Sequence, residues 1–86
     1  MPSPTTRQLI TTPGQVAEIL RGRRKARRLP QREVAAALGI SQERLSRLEA
    51  NAAGLTLERL IAMASLLGLE LVLEDKADTL AADAEW

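Results

Sequence analysis

The sequence predicts a mainly α-helical domain of four to five short helices followed by one short strand. Apolar residues recur at three- and four-residue spacing from Val16 to Leu67, and capping residues precede these runs. After Gly68 the spacing changes to strict alternation. The 86 residues suffice for one domain. Because the chain has no cysteine and no histidine, neither disulfides nor a zinc site can stabilise its small core. We therefore expect oligomerisation to supply the additional stability.

Helix 1 is predicted from about Pro13 to Arg27. Thr12 and Gln15 have the spacing of a capping box, with proline at the first helical position. The apolar stripe that follows is Val16, Ile19 and Leu20. Pro30 ends the helix because the residue before a proline avoids helical backbone angles.

Helices 2 and 3 are predicted at about 30–38 and 42–50. Gly39 stops the first of them, and Ser41 is a good N-cap for the second. Their inner faces are Val34, Ala35 and Leu38 in helix 2, and Leu45 and Leu48 in helix 3. Residues 51–54 form a loop in this interpretation.

Thr56 caps a fourth helix, which Gly68 ends in a left-handed conformation. We expect its inner stripe to be Leu57, Leu60, Ile61, Ala64 and Leu67. Residues 69–75 alternate between apolar and polar and are therefore predicted to be a strand. A lone strand has no partner within its own chain, so we expect two chains to pair their strands across a two-fold axis.

The domain organisation that follows has four parts. Residues 1–11 form a flexible arm, 12–68 the helical domain, 69–75 the dimerisation strand, and 76–86 a disordered tail. The chain contains no transmembrane run, and its N-terminus lacks the features of a signal peptide. We therefore expect a cytoplasmic protein with no membrane partner.

The formal net charge of +1 hides a strong asymmetry. Residues 1–50 carry ten basic and four acidic side chains, whereas residues 51–86 carry two basic and seven acidic side chains. Seven basic side chains and no acidic one lie between Arg21 and Arg32. Such a cluster indicates either a polyanion-binding surface or a solvated helix face.

Enzymatic activity is not expected. Without cysteine and histidine, the chain has no thiol nucleophile, no Ser-His pair and no zinc site. Its acidic residues form no convincing catalytic pair, and no glycine-rich phosphate loop is present. No cofactor is expected. RNA binding is disfavoured because Trp86 is the only aromatic residue on which a base could stack.

Helices 2 and 3, with their tight glycine turn, have the arrangement of a helix-turn-helix unit. Counted from Gln31, a small Ala35 lies where the helices approach most closely, Gly39 supplies the turn, and Leu45 fills the inner face. An ordinary helical hairpin within a bundle is the alternative.

Across about residues 13–68 the chain resembles the Cro/cI-type (XRE) helix-turn-helix family. The resemblance rests on Arg24–Ala35, Leu38–Gln42 and Leu45–Glu49. It implies a lambda-repressor-like fold, binding of double-stranded DNA, and an ion pair between Arg24 and Glu49. One departure is Pro30, where the family usually has Ser or Thr, so a hydroxyl cap is lost.

The resemblance also assigns DNA contacts. Gln42, Glu43 and Arg47 occupy base-reading positions, while Arg44 contacts either a base or a phosphate. Glu43 either accepts from cytosine or only favours the positive end of its helix. The expected phosphate or bracing residues are Gln31, Arg32, Ser41, Ser46 and Arg28, with Ser41 more often a cap than a base contact. Arg21 and Lys25 either contribute to the phosphate-binding cluster or are simply solvated.

The segment Leu66–Asp75, with the terminal Glu85-Trp86, resembles HipB-type antitoxins. This implies a homodimer whose strands pair through Leu69, Leu71, Val72 and Leu73, an inverted-repeat operator, autorepression, and a HipA-like serine/threonine kinase toxin as partner. Trp86 either anchors that partner or has no role. The alternatives are a stand-alone phage-type or metabolic regulator and a protein-interaction adaptor that uses the helices as a scaffold.

Overall fold

The computed structural model describes residues 7–76, and this part of the chain contains four α-helices. They are α1 (Pro13–Ala26), α2 (Gln31–Leu38), α3 (Gln42–Ala50) and α4 (Leu57–Leu66), with a 3-10 turn at Ala52–Gly54 before α4. The mainly helical class is therefore confirmed. No helix among residues 7–76 is both long enough and apolar enough to cross a bilayer.

Side-chain caps begin three of the four helices. Thr12 and Gln15 form the complete capping box of α1. The hydroxyls of Ser41 and Thr56 accept from the backbone N–H groups of the residues three positions later, at 3.0 and 3.1 Å. Pro30 is the N-cap of α2 and has no side-chain cap bond, so the loss of the hydroxyl cap predicted there is confirmed. These caps satisfy backbone groups that a helix end otherwise leaves unpaired.

Gly39 makes the sharp turn between α2 and α3. Its φ is 71°, in the left-handed region that side chains with a Cβ resist. The backbone N–H of Ile40 then donates to the carbonyl of Ala35 at 3.0 Å, which closes the end of α2. This turn places the start of α3 on the surface.

Every helix contributes to one hydrophobic core. The buried cluster consists of Leu20 from α1, Val34 and Ala35 from α2, Leu45 from α3, Met63 from α4, and Leu67 just beyond it. Four further apolar side chains, Ala17, Leu48, Ala52 and Ala64, are also buried. Because α3 packs against both α1 and α2, only its remaining face is open to solvent.

The expected inner stripe of α4 is partly wrong. Leu57 and Ile61 are 65% and 51% exposed, whereas Met63 is fully buried. The inner face of α4 instead consists of Leu60, Met63, Ala64 and, just beyond the helix, Leu67. The Arg59 guanidinium donates to the carbonyl of Leu38 at 3.1 Å, at the C-terminal end of α2. A cation there is favourable because that end of a helix carries partial negative charge.

The expected strand at 69–75 is not formed in the single chain. Within the described part, residues 69–76 have no regular secondary structure. Leu69 packs against the core, but Leu71, Val72 and Leu73 are exposed, the last completely. A strand requires hydrogen bonds from a neighbouring strand, which one copy of this chain does not supply. Arg7 forms an ion pair with Glu74, which links the N-terminal arm to this segment.

Candidate nucleic-acid interface

Helix α3 presents one polar face to solvent. Leu45, Leu48 and Glu49 point inward and are buried. The side chains that remain exposed are Gln42, Glu43, Arg44, Ser46 and Arg47. At 100° per residue these positions span the outer side of the helix. Nothing in residues 7–76 covers that face.

Arg24 of α1 holds the inner side of α3 through Glu49. Its Nε and Nη2 donate to the two carboxylate oxygens at 2.6 and 3.1 Å, which makes a bidentate pair. Both side chains are almost completely buried. The remaining Nη1 donates to the carbonyl of Leu29 at 2.8 Å. A buried pair with this geometry fixes the rotation of α3 about its own axis.

A chain of hydrogen bonds extends from this pair to the surface. Gln31 Nε2 donates to Glu49 Oε1 at 3.0 Å, and Gln42 Nε2 donates to Gln31 Oε1 at 3.4 Å. A carboxylate only accepts, so Glu49 decides which way the Gln31 amide points. The Gln31 oxygen then faces Gln42 and binds its NH₂ group.

The contact with Gln31 determines which polar atoms of the Gln42 amide remain available to a ligand. One N–H is used on Gln31, which leaves the second N–H and the oxygen for a ligand. This adjacent donor and acceptor match the N7 acceptor and N6 donor of adenine in a major groove. Arg47, on the middle of the exposed face, offers the paired donors that match guanine.

Two other residues of α3 have local roles in the fold. Ser41 caps the helix through the Arg44 backbone N–H. Glu43 is an acidic residue in the first turn, where negative charge is favourable. Its carboxylate is exposed as well, so both of its expected roles are compatible with this position.

The basic run of α1 divides into two groups. Arg23 Nε donates to the carbonyl of Leu67 at 3.1 Å, and the Arg27 guanidinium lies over Gly68, where a Cβ would be 2.5 Å from its nitrogen. These two arginines therefore stabilise the end of α4. The guanidinium groups of Arg23 and Arg24 are thus bound by the protein itself, whereas Arg27 is exposed beside Gly68.

Four basic residues of this region remain free for a polyanion. They are Arg21, Lys25, Arg28 and Arg32, and all are exposed. Arg28 follows α1 with φ 57°, an uncommon left-handed backbone for an arginine. The ion pairs within residues 7–76 are Arg7–Glu74 and Arg24–Glu49, so none of the four is neutralised by a carboxylate there.

An open hollow of about 520 Å³ lies beside the end of α3. It is lined by Arg44, Arg47, Leu48, Ala50, Asn51 and Gly54. The sequence pattern did not predict this feature, because its lining residues come from both α3 and the turn that follows it. Among residues 7–76 no group of His, Cys, Asp or Glu side chains is arranged to hold a metal ion.

The remaining predicted site residues lie away from α3. Leu71, Val72 and Leu73 are exposed, and Leu69 is half-buried. Trp86 lies outside the described residues.

Comparison with protein families gives one match. A family model described as "Helix-turn-helix" matches residues 20–73, which include α2, α3 and α4 completely. No curated protein matches the chain.

The buried pair generates a stability prediction. Glu49→Leu leaves the Arg24 guanidinium buried without its partner, and Arg24→Met leaves the Glu49 carboxylate buried without its partner. Each substitution is therefore expected to lower the free energy of unfolding by about 3–5 kcal/mol. The double variant should lose much less than the sum, because neither charge remains. Urea unfolding followed by circular dichroism measures all three. Two small and additive losses would show that the pair does not hold α3.

Proposed function

The chain belongs to the Cro/cI-type helix-turn-helix family of DNA-binding transcription regulators, and on this premise we propose that it is a repressor that binds an inverted-repeat operator as a homodimer. The observation that carries the proposal is the exposed polar face of α3, held in place from behind by Arg24 and Glu49. A helix of this kind enters a major groove with its outer side chains against the base edges.

Base reading is assigned to the exposed residues of α3. The Gln42 amide, held by Gln31, has the donor and acceptor that suit adenine, and Arg47 suits guanine. Glu43 lies beside them and suits the cytosine amino group. Each good pair contributes about 1–3 kcal/mol of discrimination against a wrong base.

Phosphate contacts are assigned to exposed cations around this face. Arg32 on α2 and Arg28 just before it are unpaired with carboxylates in residues 7–76 and lie close in sequence to Gln31. Such contacts position the protein on the duplex without reading its sequence. They also make affinity fall with salt, because each neutralised phosphate releases counterions.

Dimerisation is assigned to residues 69–75. The large apolar side chains that remain exposed in residues 7–76 belong to the arm, α4 and this segment, never to α1, α2 or α3. They are Leu9, Ile10, Leu57, Ile61, Leu66, Leu71, Val72 and Leu73. Pairing of two such segments supplies the strand hydrogen bonds and covers part of this apolar surface.

A two-fold dimer determines the form of the operator. Two reading helices related by the axis contact successive major grooves about 34–36 Å apart, one turn of the duplex. The two half-sites must then be inverted repeats of one another.

The protein partner we propose is a HipA-like serine/threonine kinase toxin, with this chain as the antitoxin that also represses its own operon. Support comes from the likeness of Leu66–Asp75 and the terminal Glu85-Trp86 to HipB-type antitoxins. The exposed leucines of 69–75 lie in the acidic half of the sequence, whereas the residues assigned to base reading lie on the exposed face of α3. DNA and a protein partner are thus assigned to different surfaces.

Specificity is tested on a duplex selected from a random pool with the full chain. Gln42→Ala and Arg47→Ala should each weaken binding to this duplex about 5- to 100-fold, since each removes a base contact, while affinity for an unrelated duplex changes little. Arg32→Ala is the matched control and should weaken both duplexes alike. Fluorescence anisotropy measures the dissociation constants for both duplexes. Equal losses on both duplexes for Gln42→Ala would contradict base reading.

Dimerisation is tested at Val72, whose exposed side chain is not needed by the core. Val72→Pro removes a strand N–H and should give a 9.4 kDa monomer at concentrations where the unmodified chain is a dimer. Val72→Thr keeps a β-branched side chain and should remain dimeric. Sedimentation velocity measures the oligomeric state of each variant. If both variants sediment alike, these strands do not pair.

The partner is tested with a purified HipA-like serine/threonine kinase. Deleting residues 84–86 should weaken kinase binding about 30-fold or more if Trp86 is an anchor, and should leave DNA binding unchanged. Gln42→Ala provides the opposite control, with binding to the selected duplex weakened and kinase binding kept. Calorimetric titration of the two purified proteins measures the first effect. Unchanged kinase affinity after the deletion rejects the anchor.

A further inference from the structure

The N-terminal arm lies beside the C-terminal segment that is proposed to dimerise. The Arg7 guanidinium forms an ion pair with the Glu74 carboxylate, 67 residues away in the chain. In the described part of the chain, no backbone N–H or carbonyl group of residues 7–10 or 71–74 bonds to another backbone group. Unpaired backbone groups of this kind are what a strand edge offers to a further strand.

Helix α4 keeps the two stretches together at their other ends. Ile10 lines a second open hollow, of about 400 Å³, whose lining also includes Leu60 of α4. The backbone N–H of Leu69 donates to the carbonyl of Ala64, also on α4, at 2.7 Å. The arm therefore runs from Glu74 towards α4, whereas the segment runs from α4 to Glu74. Two neighbouring stretches with opposite directions have the arrangement of an antiparallel pair.

The exposure of the side chains agrees with one register of such a pair. With Arg7 opposite Glu74, Leu9 lies opposite Val72 and Ile10 lies opposite Leu71. Because successive side chains of a strand point to opposite faces, Ile10, Leu71 and Leu69 then share one face. Ile10 is 51% exposed against 88% for Leu9, and Leu71 is 46% exposed against 67% for Val72.

The face shared by Ile10, Leu71 and Leu69 is therefore the one that lies towards the domain. Exposure on this face rises from Leu69, which packs against the core, through Leu71 to the completely exposed Leu73. The outer end of the segment is thus the part that a further strand has most apolar surface to cover.

We propose that residues 7–10 pair with residues 71–74 of the same chain as an antiparallel strand, so that the dimer contains a four-stranded sheet with the two arms outermost. One edge of each segment pairs with the second copy, and the other edge pairs with its own arm. The capping box of α1 ends the arm strand at Ile10, because Gln15 Oε1 already accepts from the Thr11 and Thr12 N–H groups.

This inference rests on the dimer of the proposed function. Two strands alone are marginally stable in water, and a sheet needs three or more strands with an apolar face. A single chain can supply only the arm and its own segment, which explains why neither is a strand in the structure of one copy. Two copies supply four strands, and the outer strands leave the segments without a free edge for further chains to join.

The register is tested with a disulfide, since the chain contains no cysteine of its own. Opposite residues of an antiparallel pair have Cα atoms about 4.5–5.5 Å apart, within the range that a disulfide spans. Mild oxidation of the full chain with Leu9→Cys and Val72→Cys should therefore close a disulfide within one chain. Leu9→Cys with Leu71→Cys is the matched control and should react about tenfold more slowly, because a shift by one residue places the side chains on opposite faces.

Non-reducing gels and mass spectrometry distinguish a link within one chain from a link between two copies. Val72→Cys alone measures any link that forms between two segments. A link between copies that requires both Leu9→Cys and Val72→Cys would place the arm on the partner's segment and overturn the proposal. Equal reaction rates in the two double variants would overturn it as well.

Charge reversal at the ion pair gives an independent measurement. Arg7→Glu places like charges opposite each other and should raise the dimer dissociation constant about 3- to 10-fold at low salt. Adding Glu74→Arg should return the constant to within about twofold of the unmodified chain, because opposite charges face each other again. Arg21→Glu changes the net charge equally at an exposed position of α1 and should have little effect. Sedimentation equilibrium measures all four proteins.

A loss in Arg7→Glu no larger than that in Arg21→Glu, or no recovery in the double reversal, would overturn the pairing of arm and segment. The unmodified chain would still dimerise in that case, so the proposed function would remain. An unmodified chain that is monomeric in the same experiment would overturn the proposed dimer and the four-stranded sheet together.

Discussion

The buried Arg24–Glu49 pair is the interaction on which the rest of this structure depends. It joins the first helix to the third across the core and accepts the Gln31 amide on its outer side. Without it, α3 has only Leu45 and Leu48 to define which side faces the solvent. With it, the rotation of α3 and the direction of the Gln42 amide are set together. The buried ion pair and the exposed Gln42 amide therefore belong to one polar network.

The same chemistry explains why so many arginines occur in so short a chain. Arg23 and Arg24 donate to carbonyls and a carboxylate of the protein itself, and Arg59 donates to the Leu38 carbonyl at the end of α2. With almost no aromatic residues, the core is small, and charged hydrogen bonds to helix ends add to what apolar burial provides. Only the arginines that remain exposed are available to a nucleic acid.

Local features could be predicted from the sequence, and distant contacts could not. The caps at Thr12, Ser41 and Thr56 and the turn at Gly39 depend on neighbouring residues, so their positions follow from residue type and spacing. The roles of Arg23 and Arg27 depend on a helix end about 40 residues away, and a basic run alone does not reveal it.

The side of α4 that is buried could not be predicted from the sequence pattern either. Two overlapping apolar stripes fit the helical period, and only the packing of α4 against the other helices shows that the one containing Met63 is buried. The strand predicted at 69–75 is not formed in the single chain, because alternating apolar residues do not by themselves provide a neighbouring strand to hydrogen-bond with. The hollow at Gly54 combines residues from a helix and a turn, and their arrangement is visible only in three dimensions.

The most direct measurement of the central claim is a titration of the ¹⁵N-labelled chain with its selected duplex, followed by amide chemical shifts. If α3 enters the groove, the largest changes will fall on residues 31–32 and 41–47, and residues 57–66 will change little. Changes concentrated on α4, with α3 unaffected, would contradict the account and leave the exposed face of α3 without its proposed ligand.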